Sequence, residues 1–422
     1  MATSLFKDAD FMKLWIGQTI SVFGAQFSPI AIYFAAKTIL NAQPIQFGIL
    51  AAMQTSPFLI FGLLVGVWAD RHRKKRTMIA VNIGRALILA AVPLAWLGGI
   101  LSMTEFYVVA FATGVLMVFF EIYYQSYLPT LVERSRLVDA NSKLQTSQAT
   151  ASGIGPALAG AVISIVSAPL AIFGDVIGYF SSVGFLSSIK KVESLPRGSG
   201  RSAWADIREG LAIVAREGRL RSIVGCSATA NLFSQAYFAI IVPFMIEDFG
   251  FGAFEVGLVL AASAVGGILG AVVSQRIPRR IGVGVTIILG SIIFSLTPIG
   301  IYLAAGIYAF PTLAAVMAVI GFASVVYNVS QVSFRQALVS IDLQGRVNAT
   351  NRTIVWGMLP IGSLLGGILG QAFGYRSAIG IAAVVGSLAI PWVLFSPVRG
   401  IREIPTSPEI ESPYATAGTG SA

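Results

Sequence analysis

Three ionisable residues, Arg85, Glu121 and Asp175, interrupt long apolar stretches of the chain. If such stretches span a membrane, a charge inside them is costly and is a functional candidate by default. Arg85 and Glu121 lie at similar depth on consecutive predicted helices, and we expect them to pair or to share a polar patch. Glu121 could then carry a proton across, or the pair could be a permanent structural one. Asp175 lies about one turn into the sixth predicted helix. Two roles are possible for it there, a hydrogen bond at the helix end and the entry of protons.

Other chemistries are excluded by residue types that occur only once. His72 is the single histidine and Cys226 the single cysteine, so multi-histidine metal clusters, intramolecular disulfides and Ser–His–Asp relays are not expected. The sequence has no Gly-x-x-x-x-Gly-Lys-Ser/Thr loop, so ATP is not expected as the direct energy source. We therefore predict no metal and no cofactor, and the pattern disfavours an enzyme.

The composition indicates an integral membrane protein. Of the 422 residues, 55% are hydrophobic and only 11% are charged, where a soluble domain has about 25% charged residues. Twelve apolar runs are long enough for a membrane helix, which needs about 20 residues. They cover residues 12–38, 46–69, 77–99, 105–127, 146–167, 170–189, 221–246, 254–275, 282–304, 308–333, 350–372 and 376–397. The sequence thus predicts an all-α membrane protein with twelve transmembrane helices.

Basic residues mark one side of this arrangement. With the N-terminus in the cytosol, alternating spans place nearly all Lys and Arg residues, Arg335 among them, on the cytosolic side. The outer loops are acidic, as at Glu247 and Asp248. This asymmetry agrees with the positive-inside rule and puts both termini in the cytosol. It also accounts for the formal charge of +10 without a nucleic-acid partner.

The chain divides into two similar halves joined by a connector. We predict a first six-helix bundle over residues 1–189, a cytosolic connector over 190–220, a second bundle over 221–398 and a disordered cytosolic tail over 399–422. The connector contains an amphipathic stripe of Trp204, Ile207, Leu211 and Val214, expected either on the inner membrane surface or packed on loops. Gln26 and Gln235, and likewise Gly48 and Gly257, are 209 residues apart. Two repeats in one orientation are typical of transporters that rock one bundle against the other.

A basic motif, Gly66-Val-Trp-Ala-Asp70-Arg71-His-Arg-Lys74-Lys75-Arg76, follows the second predicted span. It resembles the loop signature of the major facilitator superfamily, Gly-x-Leu-Ala-Asp-Arg-x-Gly-Arg-Arg, with Arg73 where the family usually has glycine. The resemblance implies the two-bundle fold and a gating role for Gly66, Asp70, Arg71, Lys74 and Lys75.

A second motif in the fifth span contains Gly153, Gly155, Pro156 and Gly160. It resembles the antiporter motif of drug exporters in this superfamily, with alanine at positions 151 and 159 in place of glycine. The resemblance favours export, but a plain close-packed helix interface needs the same small residues. The stretches around 120–145 and 343–352 are similar to a bacterial subgroup of macrolide, siderophore and multidrug exporters.

The family resemblance further implies that spans one, four, seven and ten line the substrate cavity. The candidate cavity residues are then Gln18, Gln26, Tyr124, Gln125, Asn231, Phe233, Gln235, Tyr327, Asn328 and Gln331. Amides and aromatic rings with few fixed charges suit a large, weakly polar ligand better than a sugar phosphate or a dicarboxylate. For each amide, a helix–helix hydrogen bond is the alternative.

From these features we predict a monomeric secondary transporter in a bacterial cytoplasmic membrane, in contact with membrane lipids. It is expected to export a small amphipathic compound in exchange for protons. The alternative is proton-coupled uptake of a neutral solute.

Overall fold

The computed structural model describes residues 5, 8–69, 72–191, 203–405 and 407–410, with the side chains at 63–64, 66–69, 134 and 203–207 left out. Within these ranges the chain is almost entirely helical. The helices are α1 (Ala9–Gly24), α2 (Phe27–Thr38), α3 (Pro44–Ala69), α4 (Lys74–Leu97), α5 (Met103–Leu131), α6 (Leu137–Val166), α7 (Ala168–Ala171), α8 (Phe173–Ser188), α9 (Ala203–Arg216), α10 (Gly218–Phe249), α11 (Ala253–Val273), α12 (Arg276–Ile281), α13 (Val283–Leu296), α14 (Ile299–Leu303), α15 (Ala309–Leu338), α16 (Ile341–Gly386) and α17 (Ala389–Leu394).

Eleven helical stretches of the described chain are long and apolar enough to cross a membrane. The last of them, Ile341–Leu394, has 54 residues and would be about 80 Å long as one straight helix, far more than a bilayer core of about 30 Å. Gly374, at φ 77° and ψ 163°, breaks this stretch into two helices. The two parts overlap the eleventh and twelfth predicted spans. The number of membrane crossings and the cytosolic position of the termini stay predictions.

The helices form two halves that share an apolar core at one end only. We call the end with Arg73 and Lys74 the basic end and the other the distal end. At the distal end a single core of buried side chains runs from Ile30 to Tyr179 in the first half and from Ala236 to Ala382 in the second. Towards the basic end each half has a core of its own. The two halves are therefore joined at the distal end and separate towards the basic end.

Glycines allow the two halves to meet backbone against backbone at the distal end. A Cβ atom on Gly48 of α3 would lie 2.7 Å from the Cα of Gly367 of α16, which is closer than real Cβ contacts come. On the other side of the molecule, Gly160 of α6 lies against the Ala253 carbonyl at the start of α11, and Gly257 lies against the Pro156 carbonyl. Small residues provide such close approach in membranes, where van der Waals packing replaces the hydrophobic effect between helices.

The connector helix α9 packs on the second half. Arg346 near the start of α16 donates to Glu209 of α9 across 2.8 Å, and Gly210 lies directly against Thr350. Val214 of the predicted stripe is buried, whereas Leu211 is 44% exposed. The described contacts of α9 thus agree with the alternative of a helix packed on protein. The side chains of Trp204 and Ile207 lie outside the described residues.

The segment after α17 is bound to the second half within residues 399–405 and 407–410, a stretch for which the sequence predicts disorder from residue 399. The amides of Val283 and Gly284 donate to the carbonyls of Arg402 and Ile401. Val339 forms an isolated bridge with Ile410. Composition alone suggested a free tail, but backbone groups left open at the ends of α13 and α15 give this segment hydrogen-bond partners. Residues 411–422 lie outside the described part of the chain.

Enlarging Gly160 should open the distal end. A Gly160→Val side chain would overlap the Ala253 carbonyl, and overpacking of this kind costs about 1–3 kcal/mol, which lowers the closed population on the order of tenfold. The measurement is labelling of a thiol introduced by Ala253→Cys, a site only 3% exposed, with a membrane-impermeant maleimide. We expect faster labelling with Gly160→Val.

The matched control is Gly184→Val, because an added Cβ on Gly184 meets no atom within 4 Å. Unchanged labelling with Gly160→Val, or an equal increase with Gly184→Val, would contradict the role of Gly160 in holding the distal end closed.

Candidate functional site

A polar cavity of about 310 Å³ lies in the second half, among α10, α13, α15 and α16. Four predicted cavity residues line it, Asn231, Tyr327, Asn328 and Gln331. The repeat of three or four residues in α15 brings Tyr327, Asn328 and Gln331 to one side of that helix. The amides and the phenol predicted from the sequence therefore do meet in one cavity.

Hydrogen bonds order the polar groups in this cavity. The Tyr327 hydroxyl is 2.9 Å from the Ser227 hydroxyl of α10. Gln331 donates its Nε2 to Asn328 Oδ1 at 3.3 Å and accepts at its Oε1 from Arg335 Nη1 at 3.1 Å. One chain of contacts thus runs along α15 from Asn328 to the Arg335 guanidinium.

Arg335 is the main residue of this cavity that the sequence analysis did not select. It lies in the last turn of α15, where it is only 7% exposed. Asn351 and Trp356 of α16 line the same cavity and were also missed. The one available signal was the spacing of Gln331 and Arg335, four residues apart, which places both on one face of a helix.

Glu121 does not pair with Arg85, so that prediction is wrong. The Glu121 carboxylate of α5 accepts from Arg352 Nη2 of α16 at 3.4 Å, across the boundary between the two halves. It also accepts from Gln125 one turn along α5, at 3.3 Å. The side chains of Glu121 and Arg352 are 30% and 40% exposed, so the pair is not sealed inside the protein. The sequence predicts how deep Glu121 lies along α5. It does not predict which helix α5 faces at that depth.

The Arg352 guanidinium is held by aromatic rings as well as by Glu121. Its Cζ lies 4.3 Å from the centre of the Trp356 ring and 5.9 Å from that of Phe58 on α3. The Phe58 and Trp356 rings meet edge to face at 5.0 Å. A space of about 330 Å³ adjoins these groups between α3, α5 and α16. Because Trp356 also lines the cavity of the second half, the ion pair and that cavity have a wall in common.

Arg85 and Asp175 share a separate cavity of about 170 Å³ within the first half. Asp175 of α8 is 3% exposed, and the Arg85 Cζ of α4 lies 4.1 Å from the centre of the Tyr179 ring. Ser28 and Gln54 line the same cavity. The structure thus divides the three predicted ionisable residues between two places, with only Glu121 at the boundary of the halves.

The remaining predicted cavity residues lie outside this cavity, two of them on α10 and the others in the first half. Phe233 packs over Gly386, and the Cβ of Gln235 lies against Gly362, so both lie in contacts of α10 with the last helices rather than in the cavity. Gln26 packs against Gly155 and donates to the Val22 carbonyl. Tyr124 stacks on Phe120 with ring centres 5.7 Å apart, and Gln18 is half-buried on α1. Because successive residues are rotated by about 100° around a helix, side chains that are close in sequence point in different directions.

The residues of the antiporter-like motif form helix contacts. Gly160 and Pro156 contact α11 at the distal end, Gly153 lies near Ala264 farther along the same interface, and Gly155 accommodates Gln26. These contacts account for the small residues by close packing alone.

The loop motif is described in part. Asp70 and Arg71 lie outside the described residues, and so do the surroundings of Gly66. Lys74 Nζ donates to the Ser126 carbonyl of α5 at 2.8 Å. Lys75 Nζ donates to the carbonyls of Ser187 and Ile189 at the end of α8, where a cation is favoured by the helix dipole. The two lysines thus tie the start of α4 to its neighbours.

A bundle of long apolar helices in two halves that are joined at one end, with cavities between and within the halves, is typical of a membrane transporter. The family model described as Major Facilitator Superfamily matches residues 14–360 and 224–419. The chain belongs to the major facilitator superfamily.

Relatives include the staphyloferrin A transporter of Staphylococcus aureus (strain NCTC 8325 / PS 47), 23% identical over 90% of this chain and 93% of that protein. Macrolide efflux protein A of Streptococcus pyogenes is 23% identical over 86% of this chain and 90% of that protein. Among solved structures, a bacterial homologue of the iron transporter ferroportin in an inward-facing state has a TM-score of 0.74 at 15% identity, over 93% of this chain and 99% of the other. That likeness supports the fold.

Double-mutant cycles should distinguish the two possible partners of Glu121. An ion pair as exposed as Glu121–Arg352 contributes about 0.2–1 kcal/mol, so Glu121→Gln and Arg352→Gln together should cost less than the sum of the single changes. The measurement is the unfolding midpoint of the purified protein in detergent.

The control cycle replaces Arg352→Gln by Arg85→Gln. Because Arg85 lies in a different cavity, its effect should add to that of Glu121→Gln. Coupling between Glu121 and Arg85, with none to Arg352, would contradict the described ion pair.

Proposed function

We propose that this protein exports a small amphipathic compound through the bacterial cytoplasmic membrane by proton antiport. The observation that carries the proposal is the Glu121–Arg352 ion pair, which contains a partly exposed carboxylate at the boundary between the two halves. Two relatives, macrolide efflux protein A and the staphyloferrin A transporter, support export of such a compound. In this proposal the protein acts as a monomer surrounded by lipid, with the substrate and protons as its ligands.

Glu121 couples protonation to movement of the halves through charge. As a carboxylate it attracts the Arg352 guanidinium and stabilises contact between α5 and α16. Uptake of a proton removes the negative charge, so the attraction is lost and the halves can separate there. Arg352 is meanwhile retained by Trp356 and Phe58 through cation–π contact, which keeps it in place for the next cycle.

The direction of transport follows from the order of these events. With the distal end closed, the compound enters from the basic end while Glu121 releases its proton to the cytosol. When the distal end opens, the compound leaves on that side and Glu121 takes up a proton there. The reverse movement carries the proton inward, so an inward proton gradient drives export.

The glycine contacts at the distal end serve as the closed gate in this scheme. Gly48, Gly160 and Gly257 allow the backbones of the two halves to touch, which excludes water from that end. Such a gate is needed for export and for uptake alike. Export is therefore proposed from the relatives and from the Glu121 site, and the antiporter-like motif supplies only the packing.

Glu121→Gln should abolish proton-driven export while the protein remains in the membrane. The amide has nearly the shape of the protonated acid but cannot exchange a proton, so the charge switch is lost. The measurement uses everted membrane vesicles with an acidic interior and a panel of dyes, macrolides and siderophores. We expect accumulation with the unchanged protein that a protonophore prevents, and none with Glu121→Gln.

Glu105→Gln is the control, because Glu105 lies in the first turn of the same helix α5, at the distal end. It should leave the accumulation unchanged. Proton-driven accumulation that survives Glu121→Gln would remove Glu121 from the mechanism. Accumulation only in right-side-out vesicles would replace export by uptake.

A further inference from the structure

Arg335 is a buried cation whose charge has no partner within the described residues. Arg335 is only 7% exposed, and its Nε has no hydrogen-bond partner in the described part of the chain. Its Nη1 donates to the neutral Gln331 oxygen at 3.1 Å. Among the described ion pairs, none includes Arg335, and Glu121 is already paired with Arg352. A buried charge without a counterion is strongly destabilising, so its presence calls for another source of negative charge.

The groups around Arg335 can hold a ligand but cannot neutralise the charge. Arg335 lines the cavity of about 310 Å³ together with Asn231, Asn328, Gln331 and Asn351, all of them amides. The Asn351 Oδ1 is also buried without a hydrogen-bond partner in the described chain, so its amide has unused capacity. Neutral amides orient a polar ligand without competing for its charge.

Aromatic residues form the other walls of this cavity. Tyr327, Phe294 and Trp356 line it, and the Tyr327 hydroxyl is turned to Ser227. Their rings offer a surface to an apolar or aromatic body in the cavity that also contains the guanidinium and the amides. One cavity therefore combines a fixed cation with apolar walls.

We propose that Arg335 binds a carboxylate group of the transported compound, whose apolar body packs against Tyr327, Phe294 and Trp356. The planar guanidinium donates two parallel hydrogen bonds to a carboxylate, and the unpartnered Nε supplies one of the donors. A single cation in the cavity balances one negative charge, which fits a monocarboxylate and not a phosphate dianion. This inference rests on the proposed transport function and specifies the class of substrate.

The proposal revises the ligand class expected from the sequence. A large, weakly polar ligand was favoured there over a sugar phosphate or a dicarboxylate, because such anions need fixed cations in the cavity. Burial of Arg335 supplies one. Since Trp356 lines this cavity and also packs against the Arg352 guanidinium, a compound bound here shares a wall with the Glu121–Arg352 pair.

The test measures binding of 7-diethylaminocoumarin-3-carboxylate and of its carboxamide, two fluorescent probes that differ in one charge. Fluorescence anisotropy is recorded with the purified full-length protein in lipid nanodiscs. We expect the carboxylate to bind about tenfold more tightly than the amide, since hydrogen bonds between charged groups are about twice as strong as neutral ones. Arg335→Gln should reduce that ratio to about one, and Arg335→Lys should restore part of it.

Arg399→Gln is the matched control, because Arg399 is exposed at the basic end and lies outside this cavity. It should leave the ratio unchanged. A second readout is the unfolding midpoint without ligand. For a cation kept for a ligand, Arg335→Gln should leave the midpoint unchanged or raise it, whereas a structural role would lower it.

Each outcome supports or overturns the proposal. Equal binding of the two probes, absence of carboxylate binding, or loss of preference with Arg399→Gln would overturn it. Tighter binding of the corresponding coumarin phosphate monoester would replace carboxylate by phosphate and also overturn it. Arg335-dependent carboxylate binding without proton-driven export in vesicles would uphold the site and refute the transport direction. Proton-driven export with no carboxylate preference would uphold the transport direction and refute the carboxylate site at Arg335.

Discussion

Backbone contact between the two halves at the distal end is the constraint on which the rest of the structure depends. Lipid is as apolar as the helix surfaces, so two helix bundles gain little by hiding apolar side chains from it. They stay together where glycines let the backbones touch, as at Gly48 and Gly367, and where Gly160 meets Ala253. The shared core forms around these contacts, and the separate cores of the two halves begin where they end. These backbone contacts therefore account both for the closed distal end and for the separation of the two halves at the basic end.

Ion pairs add to this closure at its edge. Lys37 of α2 pairs with Glu247 of α10 across the boundary at the distal end, and the Lys37 ammonium also lies over the Tyr375 ring. Glu121 and Arg352 make the corresponding contact nearer the basic end. The two halves are thus linked by charge at two depths, with the backbone contacts concentrated at one of them. A transporter of this kind needs bonds between its halves that can be released one end at a time.

Two segments outside the membrane helices, the connector helix α9 and the final described segment, bind to the basic end of the second half. The connector helix α9 binds α16 through Glu209 and Arg346, and Glu409 in the final described segment binds Arg219 at the start of α10 at 2.8 Å. These contacts hold the connector helix and the final described segment against the second half.

The sequence by itself determined the class of protein, the positions of the apolar helices and the family. Those properties depend on composition and on distance along the chain, which a sequence records directly. The family resemblance implied ten residues of a substrate cavity, of which Asn231, Tyr327, Asn328 and Gln331 line one cavity of the second half. Only the tertiary structure decided that Glu121 faces Arg352 and not Arg85, that Phe233 and Gln235 turn away from the cavity, and that Arg335 is buried. Depth along a helix follows from about 1.5 Å per residue, whereas the partner of a side chain depends on how each helix is rotated and which helix packs beside it.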